Sequence, residues 1–389
     1  MRFLAHSASI DFQVEKATRS NPSTQYSLAP HILHTSIFAN MARISMREFM
    51  RRQRSTTPPV LKADLSGKVV IVTGANVGLG FEAVKHFARM NPAKIVIACR
   101  SQAKGEAALA NLKRETGYTR GELRLLDLSD FQSVIRFVEK FEAENERLDI
   151  LVNNAGIHNF QYEALPTGVE ATVQVNHLST SLLCIRMLSL MHKTATEFNT
   201  RPRIVIVTSG THYNLDMPPA VVQSPRMFDK LSEPQYCANK SVMAERYNLT
   251  KLINVFFTRA LAAHLPADSP IIVNSANPGF CYSELRRTAP AMLGAFLHLM
   301  EYMMARTTEE GSRQYIWAAL AGEAGDATPV DKLRGAFVSE CRVTEPSSYI
   351  FTKEGEDCQR RIWDETIEIL RSADPKVSDI LKSELDKAQ

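Results

Sequence analysis

The sequence predicts an α/β domain built on a doubly wound parallel sheet. Three observations carry that expectation. Short apolar runs at residues 69–72, 95–99, 122–126, 148–152, 203–207 and 271–274 alternate with segments of helical period, the layout of parallel strands joined by right-handed crossovers. The first run meets Gly74, Gly78 and Gly80 just before a helix-like segment, 81–89. A chain of 389 residues, 44% hydrophobic and 23% charged, can bury a large core.

Taken in order, residues 1–40 show no sustained periodicity and are expected to be disordered. Residues 46–54 suggest a short basic helix, closed by the spacer Thr57-Pro58-Pro59. Residues 1–60 are therefore read as an N-terminal extension and 61–389 as the domain. Met41 and Met46 are alternative starts. The net charge of +4 is uneven, because residues 1–68 hold ten Lys and Arg against four Asp and Glu. The remainder is close to neutral, which gives no nucleic-acid surface. Six dispersed cysteines fit a reducing, cytoplasmic setting and argue against a disulfide framework or a zinc site. No apolar run is long enough to span a bilayer. Residues 291–305 are rich in Met and Leu but contain His298 and Glu301. They are read as an amphipathic helix near a substrate pocket, with membrane-surface contact as the alternative.

At the first turn, strand, glycines and helix bring backbone N–H groups and a positive helix end against a pyrophosphate. Gly74 allows the tight turn, Gly78 the close phosphate approach, and Gly80 close helix packing. Asn76 and Leu79 belong to the same predicted cofactor site. Helix 103–116 is closed by Gly117. After the third strand, Ser129 or Asp130 can cap a helix running to Glu144. The fourth strand ends in Asn153-Asn154-Ala155-Gly156, where a polar pair can tie neighbouring strands together. A long helix is expected over 168–192, and another over 244–264 before the sixth strand. There are no internal repeats and no low-complexity tract.

The run from Thr73 to Gly80 (Thr-Gly-Ala-Asn-Val-Gly-Leu-Gly), followed by Asn153-Asn-Ala-Gly156, resembles the short-chain dehydrogenase/reductase family. The resemblance runs from about Lys68 to Glu284, and loosely to about Leu370. It implies a Rossmann fold, a nicotinamide dinucleotide, and Asn154 at the cofactor. The second strand ends in Ala98-Cys99-Arg100-Ser101, without the carboxylate that would bind a ribose 2′-hydroxyl. Arg100 offers a charged fork suited to a 2′-phosphate, hence NADP(H). A surface arginine is the alternative, and Lys104 either assists or is solvated. Asp127 stands where the family contacts adenine, and also where a turn-capping aspartate belongs.

Reducing a carbonyl needs a proton donor beside the developing alkoxide. A tyrosine serves near neutrality only if a cation lowers its pKa. Tyr and Lys four apart share one helix face, and two such pairs exist: Tyr236/Lys240 and Tyr247/Lys251. The second is chosen because the apolar run 252–257 follows it and can hold it rigidly. The first is read as a pair at the pocket mouth. Ser209 resembles the family serine that binds the substrate oxygen, Asn176 the helix asparagine that holds a relay water, and Pro278-Gly279 the loop facing the nicotinamide. Ser209 and Tyr247 stand farther apart than in compact members of the family. The insert 212–240 is expected to form a lobe over the pocket, giving a lid from 210–240 and 280–310. This wider spacing resembles the retinol-dehydrogenase-like branch and fungal secondary-metabolism reductases. Phe280, Leu285, Met292, Leu293 and Phe296 suggest an apolar wall and a lipophilic substrate. The expected activity is NADP(H)-dependent interconversion of a ketone or aldehyde with an alcohol. The alternatives are a membrane-associated retinol or lipid reductase and a non-catalytic NADP-sensing protein. Helix 244–264 suits either a homodimer contact or a monomer's core.

Overall fold

Eight strands form one sheet in the order β3-β2-β1-β4-β5-β6-β7-β8. They are β1 (Val69–Thr73), β2 (Lys94–Cys99), β3 (Gly121–Leu125), β4 (Ile150–Asn153), β5 (Arg203–Val207), β6 (Ile272–Asn277), β7 (Phe337–Ser339) and β8 (Arg342–Thr344). The computed structural model describes residues 45–283, 285, 291–323 and 325–385; the expectation for residues 1–40 falls outside them. All pairings are parallel except β7 with β8. The strand order reverses between β1 and β4, which opens a crevice at their carboxyl ends.

The six expected strands are present with ends shifted by a few residues, because side-chain burial along a strand says little about where its ladder stops. Every residue of β1 is buried, as a strand covered on both faces requires. Val70 and Val72 face one core, while Val69 and Ile71 face the other.

Helices α1 (Met46–Gln53), α2 (Gly78–Ala88), α3 (Gln102–Thr116) and α4 (Phe131–Glu144) follow the sequence signals closely. Gly117 closes α3 at φ 73°, and Asp130 caps α4 by accepting from the Gln132 N–H at 2.9 Å. The helix expected over 168–192 is instead broken. It comprises α5 (Ala171–Val173), a π-turn (Gln174–Leu178), α6 (Ser179–Arg186) and α7 (Leu188–Phe198). Glu170 starts it, accepting from the Thr172 and Val173 N–H groups, and the widened turn exposes carbonyls that side chains then claim. Thr180 Oγ1 donates to Val175 O at 3.1 Å, and Asn254 Nδ2 to Asn176 O at 3.0 Å.

The insert after β5 folds as a 3₁₀ turn (Gly210–Asn214), α8 (Pro219–Val222), α9 (Met227–Ser232) and α10 (Pro234–Cys237). Met227, Phe228 and Leu231 are buried in the core, and the Glu365 carboxylate accepts from the Met227 and Phe228 N–H groups at 2.9 and 3.1 Å. α11 (Lys240–His264) crosses behind the sheet, and α12 (Ala291–Met304) precedes α13 (Thr308–Leu320). α13 starts on a Thr307/Glu310 capping box and packs on α2. α14 (Lys353–Ala373) packs on α11, with Trp363 stacked on His264 and Phe257 at 4.2 and 5.8 Å. α15 (Lys376–Glu384) is the last element among the described residues. The hairpin between β7 and β8 turns through Glu340 and Cys341, both left-handed at φ 57° and 51° without a glycine. Gln314 Oε1 accepts from the Cys341 N–H at 2.6 Å and holds that turn.

Candidate active site

One cavity of about 1730 Å³ lies over the carboxyl ends of the strands. That volume exceeds a typical small-molecule pocket of about 300–1,000 Å³, so it has room for a dinucleotide and a second molecule. Arg100, Lys104 and Asp127 line one end; Asn76, Leu79 and the glycine turn line the middle; Ser209, Tyr247, Lys251, Pro278 and Gly279 line the other.

The middle fits a pyrophosphate. Gly78 has φ +61°, and a Cβ on it would meet nothing within 4 Å, so open space lies in front of its backbone. A Cβ on Gly80 would stand 2.5 Å from Asn154 Nδ2 and 2.7 Å from Gly74 O, so only glycine allows this packing. Among the described residues no side chain caps the start of α2, which leaves first-turn N–H groups and the positive helix end for an anion. Asn154 Nδ2 donates to Thr73 O at 2.9 Å and Gly74 O at 3.1 Å, tying β4 to the glycine turn.

At the far end of the cavity, Arg100 is exposed, and Ser101 accepts from the Lys104 N–H at 3.4 Å to cap α3. Asp127 both lines the cavity and acts as a turn cap, accepting from Ser129 N–H and Oγ at 2.9 and 2.7 Å.

At the inner end, α11 is driven against the sheet by Leu252, Ile253, Val255, Phe256 and Phe257, all buried. That seating buries Lys251 to 3% exposure. Its ammonium donates to Val207 O at 2.8 Å and lies 5.4 Å from the Tyr247 ring centroid. Desolvation pulls the Lys251 pKa down to about 8. Ser209 caps the 3₁₀ turn, its Oγ accepting from the Thr211 N–H at 3.3 Å. Behind it, His212 Nδ1 donates to Ser209 O at 2.7 Å while Nε2 accepts from the Ser347 N–H at 3.1 Å. Burial pushes His212 down to about 4, so it stays neutral.

Asn176 is not in the cavity lining. Its side chain accepts from the Ile157 N–H at 2.8 Å and donates to Ile157 O at 2.9 Å and Thr250 Oγ1 at 3.1 Å. It staples the loop after β4 to α11.

The family model described as short chain dehydrogenase matches residues 68–215. A short chain dehydrogenase/reductase of Cryptosporiopsis sp. is 31% identical, with 85% of this chain and 98% of the relative covered. A short-chain dehydrogenase of Penicillium roqueforti is 32% identical, at 87% of each. Retinol dehydrogenase 12 of Mus musculus is 31% identical, covering 84% of this chain and 92% of its own.

The chain belongs to the short-chain dehydrogenase/reductase family.

Its general role is that of an oxidoreductase. The fold alone is also matched by an uncharacterized protein from Mycobacterium paratuberculosis, with TM-score 0.58, 23% identity, and 82% and 97% of the two chains covered.

Several parts of this dehydrogenase/reductase site differ from the sequence expectation. Among the described residues, none of 215–240 lines the cavity; only 210, 211, 213 and 214 of the insert do. The apolar residues of α9 bury themselves against α14 instead of covering the mouth. The Tyr236/Lys240 pair is likewise outside the lining: Lys240 is exposed, and Tyr236 is half-buried beneath Lys230, 5.1 Å from its ring. Phe280 and Leu285 do line the cavity; the side chains of Met292, Leu293 and Phe296 lie outside the described residues. No described helix is long and apolar enough to cross a membrane.

Two features were not anticipated. His158, in the loop two residues beyond Gly156, stacks on Tyr247 at 4.7 Å and 20°, and on Phe160 at 4.1 Å. An aromatic-capable residue just past the Asn-Asn-Ala-Gly motif was the available signal. The basic helix α1, read as part of an N-terminal extension outside the domain, contributes Phe49, Arg52 and Gln53 to the cavity wall; its partners are too distant in sequence to be foreseen.

Proposed function

We propose that the protein is an NADP(H)-dependent oxidoreductase that interconverts a ketone or aldehyde with an alcohol on a lipophilic small molecule, such as a secondary metabolite. The observation that carries this reading is the Tyr247/Lys251 pair at the inner end of a cavity whose other end holds the glycine turn and Arg100. A reduced nicotinamide held along the cavity would supply the hydride for the carbonyl carbon. Tyr247 gives its phenolic proton to the oxygen as the carbonyl π pair moves onto it. The Lys251 ammonium, charged below about pH 8, favours the phenolate left behind. Having three donors, it can bind ribose hydroxyls while keeping its bond to Val207 O. Ser209 supplies a hydroxyl beside the same oxygen, and Asn176 holds the surrounding loop in place. Arg100, with Lys104, binds the 2′-phosphate.

The test is a substrate-free titration of NADPH and NADH against the wild type and Arg100→Ala. NADPH should bind at least about tenfold tighter, and the gap should close in the variant. Tighter binding of NADH would remove the role given to Arg100. Binding of neither would remove both this reading and the NADP-sensing one, leaving a likeness of fold alone.

A further inference from the structure

α1 is eight residues long and carries three arginines, and a helix that short is not stable by itself in water. It is held by tertiary contacts around the cavity. Gln53 is 7% exposed and makes three hydrogen bonds. Its Oε1 accepts from the Phe280 N–H at 3.1 Å, while Nε2 donates to Phe280 O at 2.6 Å and to Met304 O at 2.8 Å. One amide therefore satisfies both backbone groups of the residue after Gly279 and joins them to the end of α12. Arg306 reinforces the seat by donating to Arg52 O at 2.7 Å and Ser55 Oγ at 3.1 Å, at the carbonyl end of α1.

The contact reaches the catalytic end of the cavity. Gly279 has φ +83°, and a Cβ on it would lie 3.1 Å from Arg306 Nη1 and 3.4 Å from Gln53 Oε1. The backbone of the Pro-Gly loop is thus pressed between the cavity and α1. One turn earlier, Phe49 meets Phe280 edge to face at 6.5 Å, and both rings line the cavity. Arg52 stands over the Tyr213 ring at 5.6 Å and is paired with Glu48 at 2.6 Å, so its charge is engaged within the wall.

We propose that α1 is part of the substrate-binding apparatus: Gln53 is a positioning residue that sets the Pro278-Gly279 loop, and Phe49 is a specificity-determining contact for the apolar part of the carbonyl substrate. This rests on the reaction proposed above.

The experiment compares the full chain with Phe49→Ala, Phe49→Leu, Gln53→Ala and Gln53→Met, each checked for folding by its melting curve. The readouts are hydrogen exchange at the Phe280 amide, NADPH affinity, and kcat and KM for 1-decalone and 2,3-butanedione. Phe49→Ala should lower kcat/KM for 1-decalone about tenfold through KM. It should leave 2,3-butanedione and NADPH affinity within about twofold, and Phe49→Leu should fall between. Gln53→Ala should speed exchange at Phe280 at least about tenfold and lower kcat for both ketones, because a misplaced loop costs reactive geometry. Gln53→Met fills similar volume without bonding and should behave like Gln53→Ala; recovery by Met would reduce Gln53 to a packing residue and overturn its role. Unchanged ketone preference in Phe49→Ala would overturn the role of Phe49. A wild type that binds NADPH but reduces neither ketone counts against the lipophilic substrate class and, with it, Phe49; exchange at Phe280 then decides Gln53. A wild type that binds no dinucleotide fails the proposed function, and the same exchange measurement still decides Gln53.

Discussion

Tyr236/Lys240 and Tyr247/Lys251 have the same spacing and lie three helical turns apart in sequence, so an unbroken helix would place both on one face. The chain is broken between them. α10 ends at Cys237, and Asn239 leaves helical geometry at φ −75°, ψ 116° to cap α11. Lys240 therefore starts a helix in water, while Lys251 sits mid-helix beneath the end of β5 with its ammonium on Val207 O. The same Tyr-x-x-x-Lys spacing gives an exposed lysine in one place and, in the other, a desolvated lysine beside a tyrosine that lines the cavity. Position against the sheet edge, more than spacing, decides which pair can do proton chemistry.

The comparison breaks most sharply at the tyrosines. Tyr247→Phe should cut ketone turnover by about a thousandfold with NADPH affinity within about threefold, and Tyr236→Phe should stay within about twofold. Equal losses in both would remove the distinction. At the lysines, Lys251→Met should lower kcat by roughly a hundredfold, whereas Lys240→Met should be silent. Since Lys251 is charged only below about pH 8, wild-type reductive kcat/KM should fall as pH rises through that value, and this limb should vanish in Lys251→Met.

Stability sharpens the same contrast. A lysine whose folded pKa is about 8 binds fewer protons folded than unfolded between pH 8 and its ordinary 10.5. Its burial cost is therefore complete below pH 8 and relieved as pH rises. Relative to Lys251→Met, the wild type should gain up to about 3 kcal/mol across that window, measured by denaturant unfolding. The smallest effect concerns the ring on Tyr247: His158→Ala should lower kcat/KM by about three- to tenfold, the value of a stacked pair, and His158→Phe should restore most of it. If Phe restores nothing, stacking is not what His158 contributes.

The local geometry of the glycine turn and the helix caps was legible because its demands are local. Gly78 needs its left-handed backbone, Gly80 has no room for a Cβ, and Asp130 and Gly117 act within a few residues of themselves. The cavity wall around Phe280 was not, because its contacts span the chain. Gln53 bonds to Phe280, 227 residues away, and to Met304, 251 away. The insert was visible as extra length, but its packing against α14 depends on Glu365, 138 residues beyond Met227. Met227, Phe228 and Leu231, apolar at helical spacing, argued for burial over a solvated lid. The π-turn at Asn176 leaves no pattern in the residues, and strands of three residues such as β7 and β8 are too short to show alternation.

The hairpin that ends the sheet has a consequence for how molecules meet one another. Without β8, the parallel sheet would finish at β7, beside cavity residues Ser339 and Glu340, as an open ladder on which another copy's strand could grow. The added strand is three residues long, runs antiparallel, carries Arg342 and is fixed by a left-handed turn. A short, charged edge of this kind is a poor template for strand addition. The hairpin thus disfavours strand addition at a margin that also borders the cavity.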